Sequence, residues 1–296
     1  MHLIIESIGF GIATGAVIAL GAVGFSVQFG ISNILNITYG ALMTLAAYVA
    51  LIVINRGVSA WIALAVGAGV VGVISVLYNR ALLSPLVRRG TPPVALVIAT
   101  VAGGTILQYV IVAIAGPSSQ SYGEQSGRTL HFLGFRLSEG QVVIIILTAL
   151  LMLGLHLLLT RTTLGKAMRA TSSNRTLARS CGISTSRVSD IAWLISGALC
   201  GAAGVALAIT TVSFDFSLGG LFLIPMIAAA VLGGIGQPYG AMLGGLIVGV
   251  SSEVFAAVSN PNYKDIVAFA ILIAVLLVRP QGLFGTGSSN RRLMEG

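Results

Sequence analysis

The stretch "AAVLGGIGQPYGAMLGGLIVGVSSE", residues 229–253, decides the fold. Two apolar runs flank a polar break, GGIGQP, and the single charge is Glu253 near the far end. Gly240 and Gly244, then Gly245 and Gly249, stand one helical turn apart, as do Gly11 with Gly15 and Gly197 with Gly201. In lipid no hydrophobic force drives helices together, so small residues at this spacing let backbones close in and gain van der Waals contact. The stretch reads as two helices of a Gly/Ala-rich, tightly packed bundle in a bilayer.

The rest of the chain agrees. Of 296 residues 56% are hydrophobic and 8% charged, where a soluble domain carries about 25% charged residues. Apolar runs of spanning length, roughly 17–25 residues, fall at 7–29, 34–54, 58–80, 93–115, 141–160, 191–211, 220–236, 239–258 and 263–279. The fold class is an all-α polytopic membrane protein of eight to nine hydrophobic segments, read as one domain over 1–296. The start, "MHLIIESIGFGIATGAVIALGAVGF", lacks a basic leader and its apolar run is too long for a secretory signal, so it reads as a retained span.

Charge placement orients the segments. Arg80, Arg88 and Arg89, the stretch 161–187, and Arg279 with Arg291 and Arg292 are basic linkers, which the positive-inside rule assigns to the cytoplasm. The 116–140 loop, with Glu124, Arg128, Arg136 and Glu139, is net neutral and reads as external. Segment 34–54 has two readings: it crosses, giving nine spans and an external N-terminus, or it re-enters, giving eight and an internal one. An internal echo, "YGALMTLAAYV" (39–49) and "YGAMLGGLIVG" (239–249), follows a polar break in each case; paired interrupted segments point to a transport site.

The inventory argues against an enzyme. His2, His131 and His156 have no ligand-spaced companions, and Cys181 and Cys200 form no disulfide framework or metal motif. Ser196, in "ISGALCG", has no histidine after residue 156 to act as its base. No G-x-x-x-x-G-K-[ST] loop is present to cradle ATP. The net charge of +8 is distributed as linkers and does not suggest nucleic acid.

Transport is what the polar residues allow. Asn33, Asn36, Gly40, Thr44 and Ala47 follow helical spacing as a polar, small stripe, extended by Gln28 and Tyr39. Polar groups at membrane depth need partners or a watery cavity, so these residues, with Glu253, are candidates for the solute path. Intramembrane acids are functional candidates by default; Asp215, in the turn "SFDFS", reads as a solvated acid. The stretch "RTTLGKAMRATSSNRTLARSCGISTSR", 161–187, gathers six of the sixteen Lys and Arg residues and no acid. It reads either as a solvated loop or as a surface on which another protein docks.

"NILNITYG" (33–40), "LGKAMRAT" with "LARSCGI" (164–183), "SGALCGAAGVA" (196–206), the stretch 229–253 and "VRPQGLFG" (278–285) occur in this order. With these motifs the chain resembles the inner-membrane permease subunits of branched-chain amino acid ABC importers, of the LivH type in the LivH/LivM family. The resemblance implies a multi-pass protein of a bacterial inner membrane whose path carries branched-chain or other amino acids. It implies a second permease of similar fold, two ABC ATPase subunits and an external solute-binding protein docking on 116–140 and 212–219. No cofactor would be bound by this chain; ATP would be used by the ATPase subunits. The cytoplasmic helix that enters a groove on the ATPase would map to Gly165, Lys166, Ala167, Arg169, Ala170, Asn174, Ala178, Gly182 and Ile183, within a coupling loop of about 161–190.

One departure bears on cargo. Family members often read Asn-x-Ala-His-Gly-Glu where this chain has Asn36, Ile37, Thr38, Tyr39, Gly40 and Ala41. Related permeases carry urea or short amides, and a more distant branch carries sugars. A rival of another class is a stand-alone secondary transporter or channel using Glu253 as a proton or ion site.

Overall fold

The computed structural model describes residues 2–123, 129–132, 135–211, 213–259, 263–279 and 281–284. Glu124, Arg128, Arg291 and Arg292, which entered the charge reading, lie outside these, as do 212 of the expected 212–219 docking loop and 280 and 285 of the last motif. The helices are α1 (His2–Ser32), α2 (Thr38–Ile54), α3 (Ala60–Tyr78), α4 (Ser84–Arg88), α5 (Pro93–Ala115), α6 (Glu139–Arg161), α7 (Thr163–Ser173), α8 (Arg175–Ser180), α9 (Thr185–Thr210), α10 (Leu218–Gly233), α11 (Pro238–Val258) and α12 (Lys264–Val278). A π-helical turn, Asn79–Leu83, joins α3 to α4. The all-α expectation meets one exception, a hairpin of β1 (Thr129–Phe132) and β2 (Phe135–Ser138) in the 116–140 loop, with Thr129 opposite Ser138. Outside the bundle a short ribbon is the other way for a chain to pair its backbone groups locally.

Helices α1 and α9 form the centre. Helix α1 packs against α11, α9, α10 and α6, and α9 against α3 and α2. Helices α5 and α6 form the rim, with apolar residues such as Ile106, Ile114 and Leu150 turned outward. An apolar outer face is what lipid requires and what water would penalise.

Glycines set the closest crossings. Gly249 of α11 lies on the Gly15 backbone of α1, Gly245 on Ala19, Gly40 of α2 on Gly219 of α10, and Gly204 of α9 on Met43 of α2. A Cβ at any of these would fall inside van der Waals contact with a neighbouring helix backbone. The sequence spacing of small residues therefore does become backbone contact.

The bundle has two unlike ends. Arg80, Arg88, Arg89, Arg161, Lys166, Arg169, Arg175, Arg179, Arg187 and Arg279 gather at one, with Asp190 the acid there among the described residues. The other end holds Glu139, Asp215, Glu253 and Asp265 with Arg56 and Lys264. Segment 34–54 runs between the ends and so crosses. Ile34 lines a cavity with Arg80, Arg88 and Arg179, whereas Ala47, Tyr48 and Leu51 pack with Phe214 and with Ile111 and Ala208 at the far ends of α5 and α9. The Tyr122 hydroxyl donates to the Ala47 carbonyl at 2.8 Å, and burial pushes the Tyr122 phenol well above its ordinary pKa. The 17 residues of α2 rise about 25 Å against a core of about 30 Å, and the non-helical link 33–37 supplies the remainder. Among the described residues six helices are long and apolar enough to cross a membrane, and with the shorter α2, α10 and α12 nine run between the two ends.

The internal echo occupies equivalent places. Tyr39-Gly40 opens α2 after the break 33–37, and Tyr239-Gly240 opens α11 after the break 234–237. The two helix–break–helix units pack crosswise, α1 on α11 and α2 on α10, and Gly30 meets Gly236 between them.

The crossing of α2 predicts labelling from opposite sides. In a Cys181→Ser background, Arg56→Cys should react with an impermeant thiol reagent from the face opposite to Ser173→Cys. Reaction of both from the same face would mean that α2 turns back.

Candidate translocation cavities and coupling surface

A cavity of about 580 Å³ opens at the acidic end, walled by α1, α9, α10, α11, α12 and the turn 213–217. The Glu253 carboxylate lies in it, ion-paired with Lys264 from the first turn of α12 and accepting from the Thr14 hydroxyl of α1 at 2.7 Å. Asp215 and Asp265 line the same space. The Asp215 carboxylate accepts from the Ser217 backbone N–H at 2.9 Å and hydroxyl at 2.6 Å, so the turn "SFDFS" builds a wall of the cavity. The floor and sides are apolar, with Val17, Ile18, Leu207 and Phe222.

A second cavity, of about 430 Å³, lies at the basic end of the same α1. Ser26, Val27, Gly30 and Ile31 line it with Met168, Arg169 and Ser173 of α7 and with Gly236–Tyr239. Between the two cavities α1 is fully packed: Ala19, Leu20, Ala22 and Val23 are buried, Gly21 faces the Met226 side chain, and Ala19 lies on Gly245. One helix thus touches both cavities and carries the seal between them.

The α2 stripe is placed differently from its helical spacing. Helix α2 starts at Thr38, so Asn33 and Asn36 precede it and share no helical face with Gly40. Asn33 is exposed at the basic end with φ 53°, a left-handed conformation that asparagine tolerates better than most residues. Asn36 is buried and donates its amide to Gln28 at 3.1 Å. Tyr39 is buried and donates to the Ser196 carbonyl at 3.1 Å. Thr44 accepts from the Gly219 backbone N–H at 3.0 Å, next to the close approach of Gly40 and Gly219. Asn36, Tyr39, Gly40 and Thr44 tie α2 and the link before it to α1, α9 and α10, and with Asn33 they line none of the cavities described here. Of the expected path residues, Glu253 lines a cavity.

The basic stretch folds as two short helices whose stops are written in the sequence. The Thr162 hydroxyl accepts from the Gly165 N–H at 3.0 Å and starts α7. Asn174 ends α7 and caps α8 by accepting from the Leu177 N–H at 2.9 Å. Gly182, at φ 81°, ends α8 with a Schellman pair, its N–H to the Arg179 carbonyl and the Ile183 N–H to the Ala178 carbonyl. Gly165 is buried against the carbonyls of Leu158 and Leu159, and Arg169 also donates to the Leu159 carbonyl. Gly165 and Ala178 face inward, Ala167, Ala170 and Ile183 are half-buried, and Lys166, Arg169, Asn174 and Gly182 are exposed. Lys166, Arg169, Arg175 and Arg179 are exposed among small polar residues, and Leu177 is 61% exposed.

Beside α8 a third cavity, of about 500 Å³, is lined by Arg80, Arg88, Arg175, Arg179 and Asp190. Arg80 pairs with Asp190 at 2.8 Å, tying the end of α3 to the start of α9. Sequence reading missed Thr14, Asp265 and Lys264, which surround Glu253, and Leu177. Thr14 interrupts an apolar first span, and "NYKDIV" (262–267) places a cation and an acid at the mouth of the last one; both signals were legible.

The family model described as the branched-chain amino acid transport system / permease component matches residues 7–276. The high-affinity branched-chain amino acid transport system permease protein BraD of Pseudomonas aeruginosa is 31% identical, over 93% of this chain and 94% of BraD. The corresponding permease protein LivH of Escherichia coli K12 is 32% identical over 93% of each chain. LivM of the same strain is 27% identical over 92% of this chain and 69% of its own. Among solved structures, a chain of PsaBC from Streptococcus pneumoniae in complex with Fab shares the fold, with a TM-score of 0.52 and 14% identity over 96% of this chain and 94% of that one.

The buried Asn36–Gln28 bond predicts a coupled pair. Asn36→Leu strands the Gln28 Oε1, beside an Nε2 that already lacks a partner among the described residues, and should cost about 1–3 kcal/mol, read as a lower thermal midpoint of the detergent-purified protein. Adding Gln28→Leu should recover part of that loss. An unchanged midpoint in the single variant would contradict the packing role.

Proposed function

The chain belongs to the branched-chain amino acid transport permease family, and from that premise we propose that it forms the path for branched-chain amino acids in an ATP-driven importer of a bacterial inner membrane. It is a multi-pass membrane permease and not an enzyme. A second permease of similar fold pairs with it, as the likeness to both LivH and LivM supports. In the proposed complex two ATPase subunits sit at the basic end and an external binding protein delivers solute at the acidic end. ATP is used by those ATPase subunits, and this chain binds no cofactor.

The observation that carries the reading is the arrangement along α1: a cavity at each end, a packed seal between them, and α7 lining the inner one. Helix α7 packs against α1 and α9 and faces the second break across that inner cavity, so movement of α7–α8 by a partner reaches the seal through α1. An exposed leucine on a short helix whose exposed residues include Arg175 and Arg179 fits a groove with an apolar floor and acidic edges. The caps at Asn174 and Gly182 keep that surface in shape, while Gly165 and Arg169 fasten it to α6. Transmission therefore needs the inward residues for stiffness and the outward ones for docking.

Leu177→Asp should leave insertion and helix content intact, because Leu177 faces away from the bundle. It should weaken ATPase association and reduce ATP-dependent uptake by at least about tenfold, equivalent to roughly 1.4 kcal/mol of docking energy. Co-purification of the ATPase and uptake in proteoliposomes check this; unchanged values in both would remove α7–α8 from the coupling path.

A further inference from the structure

Glu253 and Lys264 do more in the outer cavity than tie α11 to α12. Their side chains are 17% and 38% exposed, and both face an open space of about 580 Å³, within the range of roughly 300–1,000 Å³ typical of small-molecule sites. Two further polar groups on the same wall lack their usual partners. The Ser252 hydroxyl is buried and has no hydrogen-bond partner among the described residues, and Ser252 lines the cavity. Pro225 lies inside α10 and has no N–H, so the Leu221 carbonyl, one turn earlier, has lost its helical donor; both residues line the cavity. An unpartnered hydroxyl and a carbonyl without its i+4 donor thus belong to residues lining the same cavity as the ion pair, whose floor is apolar.

We propose that this wall is an external subsite for a zwitterionic amino acid with an apolar side chain. The solute carboxylate takes the place of Glu253 on Lys264 and accepts from Ser252. The solute ammonium takes the place of Lys264 on Glu253 and donates to the Leu221 carbonyl. The exchange leaves each charge paired before and after, and so avoids the large cost of an unpaired charge away from water. The apolar side chain rests against Val17, Ile18 and Phe222. Glu253, Asp215 and Asp265 against Lys264 give the cavity more acid than base, which disfavours solutes with a second carboxylate. Urea or a neutral amide has no charges to exchange, so the wall selects amino acids over them. This inference rests on the permease reading and names the solute chemistry of its outer cavity.

The test uses the whole complex, with companion permease, ATPase subunits and binding protein, in proteoliposomes holding ATP. The double variant Glu253→Gln, Lys264→Gln keeps a hydrogen-bonding tie between α11 and α12 but removes both charges. L-leucine uptake should fall at least tenfold while complex yield and basal ATP hydrolysis stay within twofold. Leucine uptake within twofold of wild type would mean that the pair only ties helices, and would overturn the subsite while leaving the permease reading in place. A readout independent of that variant's folding is Ser213→Cys, on the cavity wall, in a Cys181→Ser background. L-leucine should slow its external labelling at least threefold, and leucinamide or 4-methylpentanoate, each lacking one charge, should not. Equal labelling with all three overturns the subsite, and so does equal protection by all three. A wild-type complex that carries a neutral amide and no amino acid would overturn the solute reading as well.

Discussion

Backbone contact at glycine is the constraint on which the rest of this structure depends. Helices in lipid gain nothing from leaving water, so association rests on how closely their surfaces fit. Helix α1 can be central because Gly15 and Ala19 let α11 lie against it, backbone to backbone, at Gly249 and Gly245. The seal between the two cavities is made of the same contacts. A larger residue at the Ala19–Gly245 crossing would push α11 from α1 and open the seal, so packing and transport share these atoms.

That shared set explains why the polar residues of α2 turn inward. Gly40 and Thr44 hold α10 close, Tyr39 bonds α9, and Asn36, in the link before α2, gives one hydrogen bond to Gln28 of α1. In a low-dielectric interior each such bond is worth keeping because the alternative is an unpaired polar group. Tyr39 serves a helix contact, through its bond to the Ser196 carbonyl. The charged wall of the outer cavity lies on α11 and α12 instead.

Much of this was legible in the sequence. Apolar lengths gave the helices within a few residues, the cations marked the basic end, and the echo at 39–49 and 239–249 marked two breaks, the second of which meets the end of α1 at Gly30. The 161–187 stretch carried its own caps in Thr162, Asn174 and Gly182. Spacing failed at Asn33 and Asn36, because a helical period counts only where a helix exists, and the break 33–37 is not one. The crossing of 34–54 could not be read from charge, since the residues before it carry Glu6 alone; it took the contact of Ala47 with Tyr122 to place its far end. Lys264 went unnoticed because its importance comes from a partner eleven residues away, across a helix–helix turn.

The central claim is that this chain supplies a sealed path and leaves the energy to separate subunits. The most direct measurement is leucine accumulation by proteoliposomes containing the chain with its companion permease, with the ATPase subunits, internal ATP and binding protein each added or withheld. The account predicts accumulation only when all three are present. Accumulation by the permease pair alone, under a proton or sodium gradient, would contradict it.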